Sequence, residues 1–459
     1  MIIDTALLSR AQFGFTISFH ILFPSFSIGL ALFLSIMEGA WLKTKNPLYL
    51  AICKFWTKIF ALTFGMGVVS GLVMEFQLGT NWAGFTRQIG GVLGPLFTYE
   101  VMTAFFIEAG FLGVMLFGWE RVSHRLHYFA TLLVLVGTTL SAYWIMSANT
   151  WMQHPVGFIN NNGIFNVADW QQVVFNPATF SRFAHMMLAS YICAFFVICS
   201  VSGLYLLRNQ FQAFSKKCFS FGWIMLLILV PLQIFFGDEA GLVVKEFQPL
   251  KTAAMEGIWN TQAGAPLLLF AIPDQAQQTN HWEIRIPHGA ALINTHQWNG
   301  VLQGLKTVAE KNQPRVLPVF FTFRIMVGIG LLMLLFTFIA FYLKLRGRLF
   351  TTSWFLKLSI ISAPLGFIAL WCGWITAEMG RQPWVVYNLI RTLDAASHVS
   401  LQDVMISFML IFVVYGIIFG YFYFYFLNKI IQKGPADFIA SEAHQPFQYM
   451  PLPSKQESK

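Results

Sequence analysis

The sequence predicts an all-α, polytopic membrane protein with about nine transmembrane helices. Its 459 residues are 56% hydrophobic and only 11% charged, whereas a soluble domain has about 25% charged residues. Nine apolar stretches approach the roughly 20 residues that a helix needs to cross a bilayer. They lie near 12–37, 57–79, 96–118, 128–149, 183–207, 219–237, 319–343, 358–377 and 403–427. The length therefore suits one helical bundle rather than several soluble domains.

Positively charged residues alternate between the two sides of this predicted bundle. One set of connections holds Lys43, Lys45, Lys54 and Lys58; Arg121 and Arg125; Arg208, Lys216 and Lys217; Lys344, Arg346, Arg348 and Lys357; and Lys429 with Lys433. The opposite short connections hold little beyond Arg87, Arg182, Arg381 and Arg391. The positive-inside rule then predicts an outer N-terminus and a cytoplasmic C-terminus. This location explains the net charge of +9, so the charge does not indicate a nucleic acid partner.

One connection is much longer than the others. Residues 238–318, between predicted helices six and seven, are rich in Gln, Asn, Pro and Gly, and loops of this length are usually functional or disordered. Trp259, Trp282 and Trp298, together with the apolar run 267–270, predict that the loop packs onto the bundle. The predicted organisation is helices one to six (1–237), the outer loop (238–318), helices seven to nine (319–433) and a polar cytoplasmic tail (434–459).

The end of predicted helix eight carries the most chemical information. No charged residue lies between Lys357 and Glu378, and lipid disfavours an unpaired carboxylate. Arg381 follows one helical turn later, so one interpretation is an ion pair at the helix end. The other interpretation is a carboxylate that binds a cofactor or carries protons at the membrane surface.

Only two of the ten histidines, His20 and His185, fall well inside predicted helices. A histidine in a helix is more often a satisfied polar residue than a ligand. However, Pro24 removes the usual helical donor for the His20 carbonyl, and an irregular backbone in a membrane is buried in protein or lines a cavity. His185 and Met326 lie at matching depths on helices five and seven. Imidazole and thioether together are a known axial pair for an electron-transfer haem, with Arg324 near enough to compensate a propionate, although a methionine usually fills a core.

Predicted helix three contains two acids, Glu100 and Glu108. Eight residues of helix rise about 12 Å and turn about 80° beyond two full turns, so both carboxyls face one broad sector. Two acids stacked inside an apolar helix indicate a proton path more than a structural role. Glu75 on helix two and Ser141 on helix four add polar groups at comparable depth, and a structural hydrogen bond explains Glu75 equally well.

Several short motifs become specific when they are taken together. They are Glu-Phe-Gln-Leu-Gly-Thr-Asn-Trp at 75–82, Gly-Asp-Glu at 237–239, Phe-Arg-Ile-Met at 323–326 and Gly-Arg-Gln-Pro-Trp at 380–384, with an early histidine in helix one. Their order and topology resemble subunit I of cytochrome bd-type quinol oxidases over nearly the whole chain. The resemblance implies a nine-helix, haem-carrying subunit with an extracytoplasmic quinol-oxidation loop between helices six and seven.

The resemblance also implies ligands for the haems. His185 and Met326 match the axial ligands of a low-spin haem b. His20 and Glu378 match the axial ligands of two high-spin haems, one b and one d, and which residue holds which haem stays open. Arg324, Arg381 and Trp374 complete the implied cofactor-binding set.

The same resemblance assigns roles to four further residues. Glu100 and Glu108 match an acidic pair near the high-spin haems, and Lys251 and Glu256 match a lysine and a glutamate linked to quinol oxidation. Taken by themselves, Lys251 and Glu256 are better explained as a solvated pair in a loop. The latter half of this loop is short, because only a few residues separate Gly304 from Pro314. This feature resembles the short-loop, cyanide-insensitive group, in which a further haem b can replace haem d.

The predicted function is therefore oxidation of membrane quinol at the outer face and reduction of oxygen to water, which generates a proton motive force without copper. The implied partners are subunit II and, as an open possibility, a small accessory subunit, in a bacterial cytoplasmic (inner) membrane. A copper-containing oxidase needs a cluster of histidines in its helices, and a dihaem cytochrome b needs paired histidines on two helices. Two histidines inside helices satisfy neither. A transporter that uses Glu100, Glu108 and Glu378 as ion sites is the rival from another class.

Overall fold

The computed structural model describes residues 4–435, so most of the predicted tail (434–459) lies outside the described residues. Within them the chain forms nine helical spans that are long and apolar enough to cross a membrane, as predicted. Numbered in chain order as spans 1 to 9, they are Thr5–Thr44, Pro47–Thr80, Ala83–Phe117, His124–Gln153, Trp170–Leu207, Gln212–Phe247, Val316–Leu345, Ser353–Met379 and Leu401–Lys433.

Five of the spans are interrupted. Span 1 breaks at Ile21, just before Pro24, whose missing N–H cannot continue the helix. The segments are Thr5–His20 and Leu22–Thr44 in span 1; Ala83–Glu100, a π-helical turn Val101–Phe105 and Phe106–Phe117 in span 3; Trp170–Val174 and Thr179–Leu207 in span 5; Ser353–Ile361 and Leu365–Met379 in span 8; and Leu401–Ile411, a π-helical stretch Phe412–Phe419 and Gly420–Lys433 in span 9. Two of these breaks adjoin predicted site residues, His20 and Glu100.

Spans 1, 2, 5 and 6 contribute most of the main core, whose largest buried side chains are aromatic. Span 5 is the central helix, because 72% of its most apolar window is buried, compared with 17% in span 3 and 11% in span 9. The exposed side chains of the outer spans are mostly Leu, Ile, Val and Phe. Such faces suit lipid or another membrane subunit.

The long connection has its own structure. Span 6 continues to Phe247, ten residues beyond the predicted helix end at 237, so Asp238 and Glu239 are helical. The rest contains helices Pro249–Glu256 and Gly289–Thr295, short 3₁₀ turns Leu305–Thr307 and Glu310–Asn312, the antiparallel hairpin Leu267–Asp274 with Thr279–Ile286, and the paired strands Gln262–Ala263 and Val301–Leu302. Two smaller hairpins, Phe158–Asn161 with Ile164–Val167 and Trp384–Val386 with Ile390–Arg391, lie between other spans, and helix Thr392–Ala395 follows the second.

The loop packs onto the bundle through small and aliphatic residues rather than through all of its tryptophans. Ala254, Ile258 and Leu305 form a buried cluster with Val316 and Val319 of span 7. Of the three tryptophans, Trp259 is 5% exposed, whereas Trp282 is 81% and Trp298 is 59% exposed. The packing was predicted correctly, but only Trp259 takes part in it.

Candidate functional site

A buried polar cluster lies at the end of the bundle that carries the loop. Its centre is the Glu378 carboxylate, near the end of span 8. One carboxylate oxygen, Oε1, accepts hydrogen bonds from Asn149 Nδ2 at 2.9 Å and Gln153 Nε2 at 3.2 Å. The other, Oε2, accepts from the Arg381 guanidinium. The helix-end ion pair that the sequence offered as one interpretation is therefore present, but it uses only one of the two oxygens.

Two further cations extend this cluster. Arg182 donates to Asn149 Oδ1 at 2.5 Å, and Lys251 donates to Gln153 Oε1 at 2.5 Å. Burial, and then the nearby Arg182 guanidinium, lower the pKa of the Lys251 amine well below its usual range. Arg381 Nε and Nη1 are buried and have no hydrogen-bond partner in the described part of the chain. Buried cationic donors are costly when unpaired, so the cluster suits an additional anionic group.

Three predicted haem ligands each contact a glycine on a neighbouring span. The relevant distance joins the ligand atom to the position that a Cβ on the glycine would occupy. It is 3.2 Å from His20 Cε1 to Gly71, 3.2 Å from His185 Cε1 to Gly237 and 2.9 Å from Met326 Sδ to Gly373. A side chain at any of these positions would displace the ligand. Each glycine therefore lets the ligand side chain pack directly against the backbone of the neighbouring span.

Both histidines also have a polar neighbour. His20 Nδ1 lies 2.9 Å from Ser70 Oγ, and the Gln233 amide nitrogen lies 3.2 Å from both ring nitrogens of His185. The His185 ring lies against span 6, through Gln233 and Gly237, whereas the Met326 sulfur lies against span 8. Their joint ligation of one haem therefore stays a prediction.

The acidic pair of span 3 faces span 4. Glu100 Oε1 accepts a hydrogen bond from Ser141 Oγ at 2.7 Å. Glu108 is 6% exposed, and its Cγ lies 2.6 Å from the position of a Cβ on Gly137. Gly137 and Ser141 are one helical turn apart, so both acids lie along the same strip of span 4, as their spacing predicted. Their role in proton transfer remains a prediction.

The interpretation of Lys251 and Glu256 as a solvated loop pair is wrong. Both lie on the short loop helix Pro249–Glu256 and are 3% and 1% exposed. They also belong to different clusters, because Lys251 joins the group around Glu378, whereas Glu256 accepts from Arg324 Nη2 at 2.8 Å and from Asn294 Nδ2 at 3.2 Å. Helix geometry separates them, since five residues turn about 500° and leave the two side chains on different faces.

Arg324 connects span 7 to the loop. Besides its ion pair with Glu256, it donates to the Leu268 carbonyl at 2.7 Å and to the Met255 carbonyl at 2.5 Å. Its predicted contact with a haem propionate stays a prediction, because each guanidinium nitrogen already has a partner in the loop. Trp374 is half-buried, one helical turn before Glu378 on the same face of span 8.

Two cavities adjoin the loop. One, of about 290 Å³, is lined mainly by polar residues, among them Glu256, Asn280, Glu283 and Lys306. The other, of about 560 Å³, lies where span 7 begins and is lined by Ile272, His281, Val316, Pro318 and Met379, among others. A site for a small molecule commonly occupies roughly 300–1,000 Å³. The second cavity lies within this range, and the first lies just below it.

The family model for cytochrome bd terminal oxidase subunit I matches residues 8–435. The chain belongs to this family. It is 33% identical to cytochrome bd-II ubiquinol oxidase subunit 1 of Escherichia coli (strain K12), over 90% of this chain and 93% of the relative. It is 34% identical to cytochrome bd ubiquinol oxidase subunit 1 of Bacillus subtilis (strain 168), over 92% and 93%. The bd oxidase structure from Geobacillus thermodenitrificans matches with a TM-score of 0.87 at 28% identity, over 94% of this chain and 99% of that one.

Family membership confirms the predicted class of enzyme and its location. The chain is subunit I of a quinol:oxygen oxidoreductase that works with a second subunit, and it is a multi-pass protein of a bacterial inner membrane. Oxidases of this family carry haems. The residues described above fit such groups, because imidazole and thioether are donors that bind haem iron and two buried Arg381 donors have no partner within the described residues.

Sequence reasoning missed four polar residues of this site: Asn149, Gln153, Arg182 and Gln233. Asn149 and Gln153 stand four residues apart in the last turn of span 4, on one face, and both contact Glu378. A pair of amides at this spacing in an apolar helix was the available signal. Gln233 offered a similar one, as an uncharged polar residue in span 6. In sequence reasoning, Arg182 was used only as a charge in an outer connection.

Proposed function

We propose that this subunit holds three haems and connects quinol oxidation at the loop with oxygen reduction inside the bundle. His185 and Met326 hold a low-spin haem b. His20 and Glu378 hold the high-spin haem b and the haem d, or a further haem b in its place. When bound, the haems supply one-electron transfer and the site of oxygen reduction. The observation that carries the proposal is the Glu378 cluster. Arg381 pairs with the carboxylate, Arg182 and Lys251 bond to the two amides that also contact it, and Arg381 keeps two donors without a partner in the described part of the chain.

Quinol is oxidised beside Glu256. A quinol must lose two protons with its electrons, and a carboxylate within hydrogen-bond reach serves as a general base. The ion pair with Arg324, at 2.8 Å, holds this carboxylate in place. The polar cavity of about 290 Å³ that reaches Glu256 offers the released proton a way out. With the N-terminus outside, as the charge distribution predicts, this proton leaves on the outer side.

Protons for oxygen reduction come from the cytoplasm, which makes the reaction electrogenic without a pump. Glu100 and Glu108 carry them over the last part of the route, along the strip of span 4 that contains Ser141. The earlier part of the route runs largely through subunit II.

The substitution Glu256→Gln tests the quinol site. Glutamine keeps an oxygen to accept from Arg324 but cannot accept a proton, so quinol-driven oxygen uptake is expected to fall roughly 100-fold or more. Haem absorption and reduction by dithionite are expected to stay unchanged. Glu283→Gln is the matched control, because Glu283 lines the same cavity and is partly exposed. Normal quinol turnover in Glu256→Gln would place oxidation elsewhere.

The low-spin ligands have their own test. His185→Ala and Met326→Leu are each expected to abolish the low-spin haem b band in a reduced-minus-oxidised spectrum, because each removes one of two axial ligands. Met333→Leu, at a buried core position of the same span, controls for packing. A low-spin band that persists in both variants contradicts the assignment.

A further inference from the structure

Ser70 of span 2 is fully buried and faces His20 across the contact between spans 1 and 2. Its hydroxyl oxygen lies 2.9 Å from His20 Nδ1. The same oxygen lies 2.8 Å from the Met66 carbonyl oxygen and 3.0 Å from the Gly67 carbonyl oxygen, both in its own helix. One hydroxyl thus has three polar neighbours.

The single hydrogen of the hydroxyl determines the direction of these bonds. A serine hydroxyl donates once and accepts with two lone pairs, whereas a carbonyl oxygen can only accept. When the hydrogen points to the carbonyl oxygens of the helix, a lone pair faces His20. Nδ1 of His20 must then carry a hydrogen, which leaves the lone pair of the neutral imidazole on Nε2.

We propose that Ser70 is a positioning residue that holds His20 in the Nδ1–H tautomer, so that Nε2 is the atom that binds haem iron. This inference rests on the proposed role of His20 as a ligand. A hydrogen bond from the free ring nitrogen fixes the orientation of a metal-binding histidine and makes it a stronger base. A more basic ligand stabilises oxidised iron, so Ser70 lowers the reduction potential of the haem that His20 holds.

Gly71 makes this arrangement sterically feasible. A Cβ on Gly71 would lie 3.2 Å from His20 Cε1, which is between the two ring nitrogens. Ser70 and Gly71 are consecutive in span 2. Ser70 supplies the hydrogen-bond acceptor, and Gly71 lets the imidazole ring approach the helix. The break of span 1 at Ile21 places His20 at the end of a helical segment.

The test compares Ser70→Ala with Ser70→Thr in the purified oxidase. Ser70→Ala removes the acceptor and is expected to shift the ratio of oxidised to reduced haem about tenfold toward the reduced form, which is 59 mV for a one-electron couple. Only one high-spin haem should shift, and the low-spin band should stay. The iron–histidine vibration in a resonance Raman spectrum should move as well. Ser70→Thr keeps the hydroxyl and is expected to restore both values.

Ser35→Ala controls for the loss of a buried hydroxyl. Ser35 is buried in span 1 and donates to the carbonyl of Ala31 at 2.8 Å, like Ser70 with Met66. If Ser70→Ala loses one haem and Ser70→Thr regains it, the proposal is supported. Unchanged potential and vibration in Ser70→Ala overturn it, provided that His20→Ala removes that haem. If His20→Ala keeps every haem, the result contradicts the proposed ligand role of His20 rather than the role of Ser70.

Discussion

At the scale of single residues, the Glu378 side chain shows how an apolar span holds a charge. A lone buried carboxylate is disfavoured by several kcal/mol, and hydrogen bonds with an opposite charge must offset that cost. Here the amides of Asn149 and Gln153 donate to one carboxylate oxygen, and the Arg381 guanidinium donates to the other. The ion pair and the proposed ligand role are therefore compatible, because Arg381 contacts only one of the two carboxylate oxygens.

The substitution Glu378→Gln separates these two roles. It keeps the size of the side chain but leaves the buried Arg381 without its carboxylate, so we expect loss or alteration of one high-spin haem band with the low-spin band intact. Breaking one side of a buried ion pair costs about 3–5 kcal/mol, so the thermal midpoint should also fall. Glu246→Gln, at an exposed position at the end of span 6, is the control. Full haem content together with normal oxygen uptake would leave only the ion-pair role.

At the scale of helices, spans 2, 6 and 8 each place a glycine against a predicted ligand on the adjoining span. These glycines keep the helical conformation, so backbone freedom does not explain them. Their use is close approach, since a methyl group at the same place would displace an imidazole or a thioether by a few tenths of an ångström. Helix packing thus sets the position of the ligands.

Gly237→Ala is expected to shift the band or the reduction potential of the low-spin haem, because the new methyl would lie 3.2 Å from His185 Cε1 and 3.5 Å from Nδ1. Gly241→Ala is a matched control one turn later on the same helix, where nothing lies within 4 Å of the new methyl. Both substitutions favour the helix by roughly 0.5–1 kcal/mol, so helix propensity cancels in the comparison. Identical spectra in the two variants would show that the space beside His185 has no effect.

At the scale of the whole molecule, Arg324 holds the loop on the bundle. It binds two loop carbonyls and the Glu256 carboxylate from span 7, and it stacks on Phe320 with its guanidinium carbon 4.2 Å from the ring centre. Both partners of the ion pair are mostly buried, at 14% and 1% exposure. Removing Arg324 therefore leaves a buried carboxylate unpaired.

For Arg324→Gln we expect faster proteolysis of the loop between 257 and 315, and slower quinol oxidation, while the haem bands stay unchanged. The physical reason is the loss of a buried pair, which costs about 3–5 kcal/mol. Arg285→Gln serves as the control, because Arg285 pairs with Glu283 on the loop but is 61% exposed. A changed low-spin band in Arg324→Gln would instead support the contact with a haem propionate that the sequence predicted.

The sequence by itself determined the membrane fold, the order of the spans and the family. The membrane fold and the order of the spans can be recognised from short stretches of sequence. Lipid requires a continuous apolar helix, so each span appears as an apolar stretch of about 20 residues. The motif after Glu378 and the Phe-Arg-Ile-Met motif are local as well, and the match of the family model over 8–435 confirms what they indicated.

Only the tertiary structure decided which polar groups meet. Asn149 and Glu378 are 229 positions apart, and Arg324 and Glu256 are 68 apart, so no pattern along one helix could pair them. Lys251 and Glu256 looked solvated because loop composition is polar, yet the loop folds back and buries both. Burial depends on which helices pack together, and that packing depends on side-chain shapes from several spans at once.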